Sequence, residues 1–297
     1  MSAFAAVRKA MNAGVPGIYN ALGDLSPFYG GKRYLNYGYW TPGVNTPGEA
    51  ADELVRLVGR LADLAPGDHV LDAGCGFGEQ DFLWVREFGC ARIDGIDLTP
   101  MHIESAGSEA RRLGLQGRLE FSLGDATELR FSDASFEKVI ALECAMHFNT
   151  RERFFAEAFR VLRPTGRLVT TDVAYSTAHI DRKFVRSRGV GFVREILFAA
   201  AIDRFWQIPK SNKYDMSRYS GLLREAGFRE IRIENITAKV YPGFCRCLRE
   251  FAATRPLRAL DRWLLGDFAR VLEHYPTYYS VSAVKPAVST SETAGLR

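Results

Sequence analysis

The run Val70-Leu71-Asp72-Ala73-Gly74-Cys75-Gly76-Phe77-Gly78 constrains this chain more than any other stretch. An apolar strand leads into glycines at alternate positions, and a helical segment, Glu79 to Glu87, follows at once. Glycines so placed let the backbone turn sharply and let a ligand lie against bare peptide groups. A dinucleotide-binding turn spaces its glycines as G-x-G-x-x-G. Here they fall at 74, 76 and 78, and position 79 is Glu79, which disfavours a nicotinamide dehydrogenase. Asp72 also precedes the first glycine, where the dinucleotide pattern has no acid.

Around this turn, strands and helices alternate. Strands are expected at His69–Ala73, Arg92–Asp97, Leu119–Leu123, Phe136–Leu142 and Arg167–Asp172, with helices between them. That order predicts an α/β fold with a Rossmann-like, doubly wound, mostly parallel sheet. Two later strands, Phe228–Thr237 and Tyr278–Val284, bring it to seven. The organisation expected is an N-terminal helical and aromatic arm over 1–64, a core over 65–173, a helical cap over 174–216, the rest of the core over 217–286, and a disordered tail over 287–297. In such sheets ligands bind outside the carboxyl ends of the strands. Asp72, Asp97, Asp125, Glu143 and Asp172 all fall there.

Composition narrows the partners. A net charge of +4 over 297 residues is too mild to imply nucleic acid. The five cysteines have no metal-like spacing, and reduced cytoplasmic thiols account for them. No cluster of carboxylates or histidines suggests a metal. The apolar run Ile196 to Ile202 is too short to cross a bilayer.

Four segments together resemble class I S-adenosylmethionine (SAM) methyltransferases. They are Leu35-Asn36-Tyr37-Gly38-Tyr39-Trp40, Asp72 to Trp84, Gly95-Ile96-Asp97-Leu98-Thr99-Pro100, and Leu142-Glu143-Cys144-Ala145-Met146-His147-Phe148. Within that class the chain is most similar to natural-product O-methyltransferases of the erythromycin and rebeccamycin sugar type. The resemblance implies SAM as cofactor. It puts Gly74, Gly76, Gln80 and Asp72 at the methionine end, Asp97 on the ribose hydroxyls, and Asp125 and Ala126 at the adenine, with Leu98 also among the cofactor-binding residues. Asp125 following Gly124 equally suits a plain turn. Glu143 would hold SAM or orient a neighbour. Tyr39 and Trp40, with Tyr37, would close over the sulfonium, a favourable cation–π arrangement.

His147 is the candidate general base, because transfer to oxygen requires loss of the hydroxyl proton and an imidazole titrates near neutral pH. Some relatives carry two consecutive histidines here; Met146 replaces the first. Asp172 matches an acid that partners substrate or histidine in relatives, and it equally suits a structural strand-end position. His69, His102, His179 and His274 show no metal spacing and receive no role.

The cap mixes Phe and Trp with Arg and Lys. It suits a lid over a small lipophilic acceptor, a solvated basic face, or contact with a membrane surface. The acceptor atom stays open between a hydroxyl oxygen, a fatty-acid carboxylate and an isoprenoid carbon, and a SAM-binding protein without catalysis is the alternative of another class. Self-association into a homo-oligomer is also left open.

Overall fold

The computed structural model describes residues 12–22, 24–174, 207–255, 259–274 and 277–287. Most of the expected cap, and all of the expected tail after residue 287, lie outside them.

The described residues open with helix α1 (Gly14–Leu22), and the segment 24–46 leads to α2 (Pro47–Ala62). Thr46 and Glu49 start α2 with a reciprocal capping box, and Pro47 holds the first helical position. Its inner face buries Ala50, Ala51, Leu54, Val55, Val58 and Ala62. Truncating a side chain such as Leu54 there costs about 2–5 kcal/mol.

The core then runs β1 (His69–Ala73), α3 (Glu79–Glu87), β2 (Arg92–Asp97), α4 (Pro100–Arg112), β3 (Leu119–Leu123), β4 (Phe136–Leu142), α5 (Arg151–Val161) and β5 (Leu162–Ala174). From residue 207 onward come α6 (Met216–Glu225), β6 (Arg229–Asn235), α7 (Tyr241–Thr254), α8 (Ala259–His274) and β7 (Thr277–Val284). The seven strands form one sheet in the order β3-β2-β1-β4-β5-β7-β6. The first five pair in parallel, and β7 runs antiparallel to both β5 and β6. β5 is longer than its periodicity indicates, because Leu162 already pairs with Phe136 before the strand proper.

Two buried apolar clusters cover the sheet. One joins α2, Trp84, Tyr241 and Tyr278; the other joins Phe154 and Phe155 of α5 to Tyr219 and Leu223 of α6. Strand order reverses between β1 and β4. That reversal opens a crevice at the carboxyl ends of these strands. Among the described residues no helix is long and apolar enough to cross a membrane.

Candidate functional site

The crevice at the end of β1 is an open cavity of about 810 Å³. Its floor is the glycine turn. Gly74 has φ +84°, and a Cβ there would lie 2.7 Å from Cys144. Gly78, at φ +75°, caps α3, and a Cβ on it would meet the Phe121 ring at 2.7 Å. Side chains are therefore barred at both positions by backbone conformation and by close approach.

Gly74, Gly76, Gln80, Asp97, Leu98, Ala126, Glu143 and His147 all line this one cavity. Asp97 accepts from the Gly76 amide at 3.1 Å and from the Thr99 amide at 2.7 Å. Burial pushes its carboxyl up, but His102 and these bonds outweigh that and leave it below the usual range. Gln80 donates to Asp72 Oδ2 at 2.8 Å and to the Cys75 carbonyl at 2.9 Å.

Asp72 is fully buried, stands behind Gln80 and does not line the cavity. It faces Asp81, which is also fully buried. Burial pushes both acids up, and the neighbouring Asp72 charge pushes Asp81 further. Two adjacent buried carboxyls cannot both ionise.

Glu143 follows β4 in the left-handed region, at φ +53°, an unusual conformation for a non-glycine residue. It accepts from the Tyr37 amide at 2.9 Å and from the Tyr278 hydroxyl at 2.5 Å. Burial raises its carboxyl to about 8, although both bonds pull the other way.

Besides Asp72, four expected site residues are placed outside the cavity. Tyr39 and Trp40 leave the cavity because the chain turns at Gly38, φ +76°, packed against Ala50. The Tyr39 hydroxyl then meets Lys239 Nζ at 2.8 Å, and the Trp40 ring lies on Gly243 under Arg246. It is Leu35 and Asn36 of the same arm that line the cavity. Asp125 is exposed and folds onto its own turn, accepting from the Thr127 amide and hydroxyl at 2.8 Å, so only its neighbours Gly124 and Ala126 reach the cavity. Asp172 points away. Side chains alternate along a strand, so Thr171 meets the Glu143 amide while Asp172 faces α5 and is chelated by Arg151 at 2.8 Å through both oxygens.

Two residues given no role lie in the cavity. His102 Nδ1 is 3.2 Å from Asp97 Oδ1, and its Nε2 is buried without a partner among the described residues. Tyr19, on α1, stands edge-on to both His102 and His147, with its hydroxyl 3.4 Å from His147 Nε2. Burial raises the Tyr19 phenol, so it stays protonated. A lone histidine on a helix carries no spacing pattern, and nothing local in sequence ties Tyr19 to His147.

The arrangement, a glycine cradle below one acid and one imidazole, suits a cofactor with a ribose and a reacting end. A family model described as a methyltransferase domain matches residues 71–170. The chain is 37% identical over 207 residues to erythromycin 3''-O-methyltransferase of Saccharopolyspora erythraea, covering 70% of this chain and 65% of that protein. It is 31% identical over 242 residues to 27-O-demethylrifamycin SV methyltransferase of Amycolatopsis mediterranei, covering 80% of this chain and 81% of that one. Among solved structures, the cyclase SpnF aligns with a TM-score of 0.70 at 24% identity, over 94% of this chain and 97% of that one. The cyclopropane synthase of Mycobacterium tuberculosis aligns with a TM-score of 0.72 at 16% identity, over 96% of this chain and 99% of that one. These two share the fold. The chain belongs to the SAM-dependent methyltransferases, in the branch that O-methylates natural products. SAM is its cofactor, and the residues present fit it: the Gly74 cradle leaves no room for a side chain, and His102 Nε2, in the same cavity, is a buried polar atom lacking a partner among the described residues.

Proposed function

We propose that the chain moves a methyl group to a hydroxyl oxygen of a small lipophilic natural product, with His147 as general base. The observation that carries this reading is that the glycine turn, Asp97 and His147 line one cavity. Asp97 would hold the ribose hydroxyls and Leu98 the adenine. Gln80, backed by Asp72, and Glu143 would hold the methionine end.

When bound, SAM supplies an electrophilic methyl: the acceptor oxygen forms the new O–C bond, the S–C bond breaks, and sulfur keeps the electron pair. His147 takes the hydroxyl proton as that bond forms. The Tyr19 hydroxyl orients the ring from the far side of the cavity. Leu35, Asn36 and α1 exclude water from the reacting end. Similarity to methyltransferases of erythromycin and a rifamycin precursor supports an acceptor of this size and lipophilicity.

The test is incubation with methyl-labelled SAM and a panel of desmethyl macrolide glycosides and actinomycete metabolite fractions. The label is expected on an oxygen. His147→Ala should lower turnover by about 10²–10⁴ while SAM affinity stays within a few-fold. Label on carbon, or undiminished turnover in His147→Ala, overturns the reading.

A further inference from the structure

The turn that carries His147 is a single 3₁₀ turn, Ala145–His147. Its own bonds are few: the His147 amide donates to Cys144 at 2.9 Å and the Phe148 amide to Ala145 at 3.2 Å. A turn this short does not fix its last side chain by itself. The additional restraint comes from a residue 65 positions away, Asn212, in a second short turn, Lys210–Asn212.

Asn212 is completely buried. Its Nδ2 donates to the Met146 carbonyl at 3.0 Å and to the Phe148 carbonyl at 2.7 Å, the residues on either side of His147. Its Oδ1 accepts from the Arg151 amide at 3.2 Å, at the start of α5. All three bonds use one planar amide, so the turn and the helix start are held at one mutual distance. Asn212 is held in turn. Arg151 Nη1 donates to its carbonyl at 2.5 Å, and the same guanidinium is chelated by Asp172 and donates to the Val173 carbonyl. Arg151 and Asp172 are each 1% exposed. The anchor therefore runs from the end of β5, through a buried ion pair, to a side-chain amide that brackets His147.

We infer that Asn212 is a positioning residue for His147, holding the peptides on both sides of it so that the imidazole meets the cavity at a fixed angle. The inference rests on the reading of His147 as the base. It also ties the base to residues 210–212, within the expected cap over 174–216.

Two variants separate the bonds from their charge. Asn212→Asp keeps the size and the acceptor for Arg151 but loses both donated bonds. Asn212→Ala loses all three without adding charge. Histidine-ring NMR on the full chain, with S-adenosylhomocysteine bound, reads the result. The His147 resonance is assigned by its disappearance in His147→Ala. In both variants the contact between the Tyr19 and His147 rings should weaken and the His147 titration midpoint should move. The Tyr19–His102 contact and the affinity for S-adenosylhomocysteine should stay within twofold. A fold-wide disturbance would move both histidines together. Methyl transfer to the metabolite fraction that takes label in the wild type gives the second readout. Turnover should fall at least tenfold in each Asn212 variant, and adding either change to His147→Ala should cost nothing further. An unmoved His147 resonance in Asn212→Ala, movement only in the charged variant, or losses that multiply with His147→Ala overturn the inference. Undiminished turnover in His147→Ala instead overturns the base assignment and leaves the NMR result standing.

Discussion

Glu143 follows β4 and Asp172 lies two residues before the end of its neighbour β5, and both are buried acids at the same end of the sheet. Their sequence contexts are alike, yet their surroundings are opposite. Asp172 faces α5 and is paired with the Arg151 guanidinium through both oxygens, with the Tyr219 hydroxyl as a further donor. Glu143 faces the cavity with only neutral donors, the Tyr37 amide and the Tyr278 hydroxyl. Arg151 supplies a cation to Asp172, and among the described residues none of the donors to Glu143 is charged. A buried carboxylate answered by the protein's own cation serves the fold. One left to neutral donors, in a cavity whose cofactor carries a sulfonium and an ammonium, is available to a cationic ligand.

The difference breaks most visibly at Arg151. In Arg151→Leu, Asp172 stays buried with its charge unpaired, and such a loss costs about 3–5 kcal/mol. Chemical denaturation should show that loss. Glu143→Gln removes an acid with no cation to orphan, so at neutral pH its stability should match or exceed the wild type. A larger loss in Glu143→Gln than in Arg151→Leu would reverse the assignment.

The pH dependence of stability separates the two acids next. Glu143 has a folded value of about 8 against an ordinary 4.5. Between those values the native chain holds a proton that the unfolded chain has released. Stability must then fall as pH rises through roughly 5 to 8, by up to about 1.4 kcal/mol per pH unit for one such group. The Asp72–Asp81 pair, also pushed up by burial, acts in the same direction. Denaturation midpoints of the ligand-free protein across that range should decline, and Glu143→Gln should flatten the decline without abolishing it. An unchanged slope in that variant would place the titration elsewhere.

How much of this was legible beforehand follows the range of the forces involved. Strand ends and the glycine turn are local: periodicity marks Leu119–Leu123, and alternate glycines mark a backbone that must approach a ligand. That Asp97 and His147 share one cavity is readable, because each closes a recognisable segment. Facing was not readable for Asp172, since a residue's side of the sheet depends on register with β7 and on the helix packed against it. The rings of Tyr39 and Trp40 were misplaced because the turn at Gly38 is decided by its contact with Ala50, a tertiary fact. Tyr19, His102 and Asn212 carry no signal in the sequence because their places are set by contact alone: Tyr19 lies 128 positions from His147. Their residue types are ordinary, and no spacing announces them.

The smallest expected effect sharpens the comparison most finely, because it alters one hydroxyl on each acid. Tyr278→Phe removes the donor to Glu143, and Tyr219→Phe removes one of the donors to Asp172. The Tyr278 hydroxyl helps chiefly the ionised form of Glu143, pulling its carboxyl down against burial. Its loss should therefore be slight at pH 6, where Glu143 is protonated, and grow to about 1–2 kcal/mol by pH 9, where a bond to a charged group is lost. Asp172 keeps Arg151 at every pH in that range, so Tyr219→Phe should cost about 1 kcal/mol with no slope. Parallel denaturation series from pH 6 to 9 decide the matter. Two flat series would mean that Glu143 is ionised throughout and carries no burial penalty. Two sloping ones would mean that Arg151 does not neutralise Asp172 as its geometry requires.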